Sequence, residues 1–248
     1  MQTVFTAVTP EGAQAMGWLH HTAKGSDTCI VILHGHNANG ARSRFQTIAK
    51  WLEHHGYNAC RWNCIRPVLD EKTYSVLPIS TEIAQARALV KKLRERYPKI
   101  ILVGHSQGGL VALQLATEGY CDALVQLMAV VDTRENVRSK FAHIGVNLEE
   151  LHNIGTTKTT YPNGESFVYD AGFFENLVEF DAHALYKQYT KPLLMVGALR
   201  DDPVPLSEVQ DGFSWANEPK ELLVIDDLHN FSDENAMLIA KKIAEWLR

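Results

Sequence analysis

The sequence has no window approaching the roughly 18 consecutive apolar residues of a membrane span. Its first residues, Met1-Gln2-Thr3-Val4-Phe5-Thr6, lack the charged segment and long apolar stretch of a secretory leader. The expectation is a cytoplasmic protein with no membrane span. A basic excess is also missing: 24 Lys and Arg against 29 Asp and Glu leave a formal net charge of -5, so the chain carries no positive field for nucleic acid or an anionic membrane. Cysteine is scarce. Cys29, Cys60, Cys64 and Cys121 form no CxxC pair and have no companion histidine at ligand spacing, which indicates neither a zinc site nor a redox motif. Cys60-x-x-x-Cys64 reads better as reduced strand cysteines than as half a metal site. Asn230-Phe231-Ser232 is a formal glycosylation sequon with no other sign of secretion beside it. Repeats and low-complexity segments are absent.

What remains is an ordinary globular composition. With 248 residues, 46% of them hydrophobic, the chain can bury one sizeable core, and length alone allows one or two domains. Short apolar runs alternate with longer amphipathic stretches, the pattern of strands joined by crossover helices in a mostly parallel sheet. Cys29 to Leu33, Asn58 to Trp62, Lys99 to Val103, Ala123 to Val130, Pro192 to Val196 and Glu221 to Ile225 read as strands. Phe45, Ile48, Ala49 and Leu52 mark one helix ending near Gly56, and Ala236, Ile239, Ala240, Ile243 and Leu247 mark another over Asp233 to Leu247. A third, carrying Ile83, Ala86, Val90 and Leu93, takes Ser80 or Thr81 as its cap and stops before Pro98. Thr3 to Val8 and Trp18 to His20, around Gly12, suit an antiparallel hairpin at the sheet edge.

One stretch breaks this rhythm. From Asp132 to Thr190 the sequence scatters Gly, Asn, Thr and Tyr where a single crossover helix would suffice. A loop of that length inside a domain usually carries its own structure or a function. Phe167, Tyr169, Phe173, Phe174, Leu177 and Phe180 give it apolar surface to pack, so residues 132–190 are expected to form an inserted cap within a single domain spanning 1–248. A small hairpin is expected around Pro162-Asn163-Gly164.

The chemistry begins at Gly104-His105-Ser106-Gln107-Gly108-Gly109, a G-x-S-x-G-G run between the strand ending at Val103 and the helical pattern from Leu110 to Ala116. A serine on such a strand-to-helix turn projects its hydroxyl from the sheet. Ser106 is therefore the candidate nucleophile. A serine hydroxyl is weakly nucleophilic at neutral pH and needs a base, which in turn needs an orienting group. Both are available at later strand ends: Arg200-Asp201-Asp202-Pro203-Val204-Pro205 supplies a carboxylate, and Asp226-Asp227-Leu228-His229-Asn230-Phe231 supplies a histidine. Open α/β sheets place their sites at such ends. A backbone N–H in His34-Gly35-His36-Asn37-Ala38-Asn39-Gly40, assigned to His36, and that of Gln107 are the candidate oxyanion donors.

These segments, together with Tyr189-Thr190-Lys191-Pro192 and the Asp-x-x-His-x-Phe run ending at Phe231, resemble the α/β-hydrolase superfamily over nearly the whole chain, and within it the small bacterial cinnamoyl (feruloyl) esterases. The resemblance implies an α/β-hydrolase fold, a mostly parallel central sheet flanked by helices with an inserted cap. It further implies hydrolysis of hydroxycinnamate and other small acyl or aryl esters by a Ser106, Asp201, His229 triad with the His36 and Gln107 amides, and no metal or organic cofactor. Asp201 fits the Asp-x-x-Val-Pro register, with Asp202 the alternative if the loop is drawn differently. The chain departs from the family at Arg61-Trp62-Asn63-Cys64-Ile65-Arg66-Pro67, where Arg-Phe-Asp and a glycine-rich turn would be usual.

The partner implied is a small-molecule ester, and a homodimer is compatible with the reading. Lysophospholipase-like, monoacylglycerol-lipase-like, thioesterase and acyltransferase activities would use the same triad. A catalytically silent ligand-binding protein on the same fold is the rival from another class. Among other residues, His105 is expected to pack under the elbow and His34 to border the pocket floor. His20, His21, His54 and His55 are expected to be solvated. Trp62, Tyr169, Phe173 and Phe174 are candidates for the pocket wall.

Overall fold

The computed structural model of the chain describes residues 1–64, 66, 68–161 and 164–248. Among them, eight strands form one sheet. β1 (Gln2–Val8) and β2 (Gln14–His20) make the expected antiparallel edge hairpin, and β2 pairs antiparallel with β4 (Asn58–Asn63). Next to β4 lie β3 (Thr28–Leu33), β7 (Lys99–His105), β8 (Ala123–Leu127), β11 (Leu193–Ala198) and β12 (Lys220–Ile225), all parallel. The chain leaves β3 toward β4 on one side and returns to β7 on the other. That reversal opens a crevice beyond the C-terminal ends of β3 and β7, the place where open α/β sheets hold ligands.

Strand residues of period two separate the two cores. In β3, Ile30 and Ile32 point to one face, where α1 (Ser43–His54) and α9 (Asp233–Trp246) cover them with Phe45, Ile48, Leu52, Ile239 and Ile243. Val31 and Leu33 point to the other face. There α2 (Ile79–Arg94), α3 (Gln107–Thr117), α7 (Ala182–Gln188) and α8 (Leu206–Trp215) pack with Leu89, Leu113, Tyr186 and Val209. A strand buried on both sides must be apolar throughout, which is why these runs were conspicuous.

Two expectations about element ends are corrected. α2 begins at Ile79 with Pro78 as its N-cap residue and no side-chain cap, so Ser80 and Thr81 lie inside it. Pro78, at φ -54° and ψ 146°, is extended and lies just outside the helix, as a flanking N-cap residue does. β8 stops at Leu127 and not at Val130, because Met128 turns the chain at φ 42°.

The segment between β8 and β11 carries α4 (Thr133–Ile144), α5 (Leu148–Ile154), β9 (Thr156–Thr160), β10 (Ser166–Asp170) and α6 (Ala171–Val178) before α7. Each helix start has a polar cap of the expected type: Asp132, the Asn147–Glu150 capping box, Asp170 and Asp181. β9 and β10 pair antiparallel, while Pro162 and Asn163, at the centre of the anticipated hairpin turn, lie outside the described residues. β5 (Val68–Asp70) and β6 (Thr73–Ser75), from the stretch before α2, join them in a second sheet of order β5-β6-β10-β9. Phe173, Phe174 and Leu177 are fully buried here, with the Phe141 and Phe174 rings stacked at 4.3 Å. Among the described residues no helix is long and apolar enough to cross a membrane.

The tightest joint lies between β3 and α3. A Cβ on Gly108 would fall 2.3 Å from the His34 carbonyl oxygen and 2.5 Å from that of Leu33. Both neighbours are backbone and cannot rotate away. Gly108→Ala is expected to lower unfolding free energy by about 1–3 kcal/mol in a urea titration. An unchanged midpoint would refute this joint.

Candidate active site

Ser106 stands between the last residue of β7 and the first of α3, at φ 55° and ψ -127°. A non-glycine residue pays about 1–3 kcal/mol for such a conformation, so the surroundings must impose it. They do so through the backbone: Ser106 N–H donates to the Leu127 carbonyl at 3.0 Å, and the Ser106 carbonyl accepts from Gly109 at 2.9 Å and Val130 at 3.2 Å. The next residue, Gln107, opens α3, so its N–H belongs to the first helical turn and has no acceptor within the helix. From the other side Gly35 closes in. A Cβ there would lie 2.7 Å from Ser106 Cβ and 3.2 Å from its Oγ, so only glycine lets the backbone leading to His36 pass this near the hydroxyl.

His229 and Asp201 meet across the ends of β12 and β11. The His229 Nδ1 atom lies 2.8 Å from Asp201 Oδ2 and 3.0 Å from Oδ1. Asp201 Oδ1 also accepts the Val204 N–H at 2.8 Å, and the Asp201 side chain is wholly buried. Asp202 is exposed. The contact thus goes through Asp201, leaving His229 Nε2 as the ring nitrogen free to act. Two further links hold the two loops. Arg200 Nε donates to Asp226 Oδ1 at 2.7 Å, and Arg200 N–H donates to the Asp227 carbonyl at 3.0 Å. Burial would raise Asp227, but hydrogen bonds from Ser232, Asn235 and Leu228 hold its carboxyl down to about 2. That charged clamp closes the loop from Asp227 to the start of α9 around His229.

The other histidines divide between support and core. His105 is buried under the elbow as expected, and burial keeps its ring far below the usual range, hence neutral. Its Nε2 donates to the His229 carbonyl at 3.0 Å. His34 is likewise buried, its pKa pushed down to about 3 by desolvation. It stacks on Trp62 at 4.6 Å, accepts the Cys64 N–H at Nε2 and donates from Nδ1 to the Gly35 carbonyl. Trp62 is therefore core beneath His34 and not a pocket wall. His20 corrects another expectation: it is buried between Glu53 and Arg61 Nε, because the buried Arg61 guanidinium needs acceptors on that face of the sheet. His54 and His55 are exposed, as expected.

Behind the elbow lies a polar network that the sequence did not announce. Glu82 of α2 is buried, and burial raises its pKa despite Arg66 and Gln107. Its carboxylate accepts the Gln107 side-chain amide at 3.0 Å and pairs with Arg66 at 3.5 Å. Arg66 in turn donates to the Ala38 carbonyl at 2.9 Å. Arg66 belongs to the stretch that departs from the family pattern, of which Ile65 and Pro67 lie outside the described residues. One buried ion pair thereby ties the loop carrying His36 to the residue following Ser106.

A cavity of about 670 Å³ gathers these parts. Gly35, His36, His105, Ser106, Asp202, Val204 and His229 form its floor and one side; Asn136, Ser139, Lys140, His143 and Ile144 of α4, with Tyr161, Phe167 and Tyr169, form the rest. Tyr169 fulfils its expected place on the wall, whereas Phe173 and Phe174 pack away from it in the core. The Tyr169 hydroxyl accepts from Asn37 Nδ2 at 2.8 Å and lies 2.9 Å from His36 Nε2. Among the described residues no cluster of three or more His, Cys, Asp or Glu side chains is placed to hold a metal ion.

Comparison with known proteins agrees with this architecture. The model of the alpha/beta hydrolase family matches residues 30–247. Esterase EstD of Thermotoga maritima is 26% identical over 224 residues, covering 81% of this chain and 53% of that protein. The chain thus spans about half the length of that curated relative. Among solved structures, Est1E from Butyrivibrio proteoclasticus with ferulic acid bound superposes with a TM-score of 0.79 at 17% identity, covering 98% of this chain and 97% of that one. The esterase domain of a Rhodothermus marinus protein gives 0.75 at 19% identity, covering 99% and 97%. The family match runs from the first strand of the parallel sheet to the last helix, through every loop that contributes to the cavity, and this chain belongs to the alpha/beta hydrolase family.

Proposed function

We propose that the protein is a serine carboxylic-ester hydrolase acting on small acyl or aryl esters. The observation that carries this reading is the buried Asp201 held against His229, which lines the same cavity as the strained Ser106. His229 Nε2 takes the proton of Ser106 as Oγ bonds to the ester carbonyl carbon. Asp201 fixes the ring with Nδ1 protonated and offsets its transient positive charge. The His36 and Gln107 amides receive the oxyanion. Collapse breaks the bond to the alcohol oxygen, which leaves with the proton from His229. Water then repeats the sequence on the acyl-serine, giving its oxygen to the acid and returning a proton to Ser106.

Residues 132–190, a cap within a single domain spanning 1–248, supply much of the wall and hence the selectivity. A cavity of about 670 Å³ with Tyr161, Phe167 and Tyr169 on its wall suits a small or aromatic acyl group better than a long chain. The likeness to a protein solved with ferulic acid supports including hydroxycinnamate esters in the first substrate panel.

Turnover of p-nitrophenyl esters of increasing chain length, with methyl ferulate alongside, tests the reading. Ser106→Ala is expected to abolish hydrolysis, and Asp201→Asn to lower kcat by roughly 10⁴-fold, while Asp202→Asn stays near wild type. Wild-type rates in Ser106→Ala, or equal losses in the two asparagine variants, would discard the assignment. Glu82 gives a second test, as a positioning residue. Glu82→Ala strands Arg66 and is expected to cost about 3–5 kcal/mol of stability. In protein still folded, its kcat should fall more than KM rises, because oxyanion donors act in the transition state. Glu82→Gln, which keeps an acceptor for Gln107, should retain more of kcat; a loss confined to KM would remove Glu82 from this role.

A further inference from the structure

The cavity that Ser106 lines carries a charge that the hydrolysis of a neutral ester does not require. Asn136, Ser139, Lys140 and His143 form a polar stripe at helical spacing along the inner side of α4. Lys140 Nζ donates to Asn136 Oδ1 within the same helix. Among the described residues no carboxylate lies within ion-pair distance of it. The two carboxylates whose charge reaches it are committed elsewhere: Glu82 to Arg66 and Gln107, and Glu208 to the Val131 and Asp132 N–H groups at 2.6 and 2.8 Å. Lys140 is half-buried, and an ammonium partly withdrawn from water gains from a counter-ion. Here burial brings the amine down to about 8, which still leaves it mostly protonated at neutral pH.

Its surroundings lack an anion rather than a cation. His36, whose charged form Lys140 opposes, is kept neutral by burial. The Tyr169 hydroxyl, which accepts from Asn37 Nδ2, lies 2.9 Å from His36 Nε2 and is also hydrogen-bonded to Tyr161. His36 Nδ1 is a buried atom with no partner. Arg42 and Arg44 also line the cavity. Of the acids on its wall, Asp202 is exposed and Glu165 lies 3.9 Å from Arg42. An acidic protein thus presents a cation to the cavity that Ser106 lines.

We propose that Lys140 recognises a carboxylate on the substrate, so that the preferred ester carries a second, ionised acid group, as a half-ester of a dicarboxylic acid does. A single ammonium with no carboxylate partner matches a singly charged carboxylate, whereas a phosphate is more often met by an arginine fork or several cations. The inference rests on the serine-hydrolase reading, with the carboxylate held by α4 while Ser106 attacks the ester carbonyl.

Two matched pairs of substrates test it and separate the side on which the charge sits. Monomethyl adipate against methyl hexanoate places the carboxylate in the acyl part, and 4-acetoxybutanoate against butyl acetate places it in the alcohol part. In the wild type, kcat/KM for the anionic member of one pair should exceed that of its neutral partner by about 10- to 100-fold, the value of one charge-assisted hydrogen bond. In Lys140→Gln that ratio should fall to near or below one. Because each variant is read as a ratio, partial misfolding cancels. Neutral esters hydrolysed at least as fast as both anionic ones in the wild type, or an anionic preference unchanged in Lys140→Gln, overturns the proposal while leaving the esterase reading intact. No turnover of any ester, p-nitrophenyl acetate included, above Ser106→Ala removes the underlying reading instead.

Discussion

The Cα of Gly108 lies against the carbonyls of Leu33 and His34, at a separation that excludes any side chain. This contact locks the start of α3 onto the end of β3, and everything catalytic is measured from it. Once the two backbones touch, the residue before α3 has little room to relax, and Ser106 is held at positive φ by the carbonyl of Leu127 and the amides of Gly109 and Val130. The same contact brings Gly35 over the serine hydroxyl. Candidate nucleophile and candidate oxyanion amides therefore belong to one rigid body, which is what preorganised electrostatic stabilisation requires.

The candidate acid and base come from a second body, and its coherence has a different origin. Asp201 and His229 follow neighbouring parallel strands, whose pairing between Ala198 and Ile225 sets their separation. The loops beyond are then fastened by Arg200 to Asp226 and by Asp227 to the first turn of α9. His105 joins the two bodies. It precedes Ser106 in the chain, yet donates to the carbonyl of His229, so a shift of the base is resisted by the strand that carries the nucleophile. A buried neutral imidazole suits that task, because it offers a directional donor without the cost of a buried charge.

What was legible in the sequence follows from how local each cause is. The elbow, the strands buried on two faces and the terminal helix are written in residues a few positions apart, and they appear within two or three residues of where periodicity placed them. Polar partnerships across the fold were not legible. Arg66 and Glu82 are separated by a strand pair and a turn, and neither carries a motif; only the crossing of α2 behind α3 makes them neighbours. His20 looked like a hairpin histidine until the pairing of β2 with β4 brought Arg61 beside it. β5 and β6 were missed because three-residue strands show no period, and they form only where β10 offers an edge. The acid was ambiguous by one residue in sequence. In space Asp201 turns inward to Val204 and His229, while Asp202 faces solvent.

Lys140 extends the same lesson to specificity. In the sequence it is one lysine on an amphipathic helix with charged neighbours such as Arg134, Glu135 and Arg138, and such lysines are ordinarily solvated. The Arg138–Glu135 pair indeed lies on the exposed side of α4. The inner side differs in kind, with Asn136, Ser139, Lys140 and His143 all reaching the cavity. A helix that packed only for stability would turn Phe141 and Val137 inward and leave the remaining inner positions apolar. α4 does bury Val137, and Phe141 stacks on Phe174, so its hydrophobic anchoring is already satisfied on an adjoining face. Ser139 and His143 stay exposed there while Asn136 and Lys140 are half-buried, so the stripe forgoes apolar contact on a face the helix does not need for anchoring. The half-buried ammonium gains most when something of complementary charge occupies the space it faces.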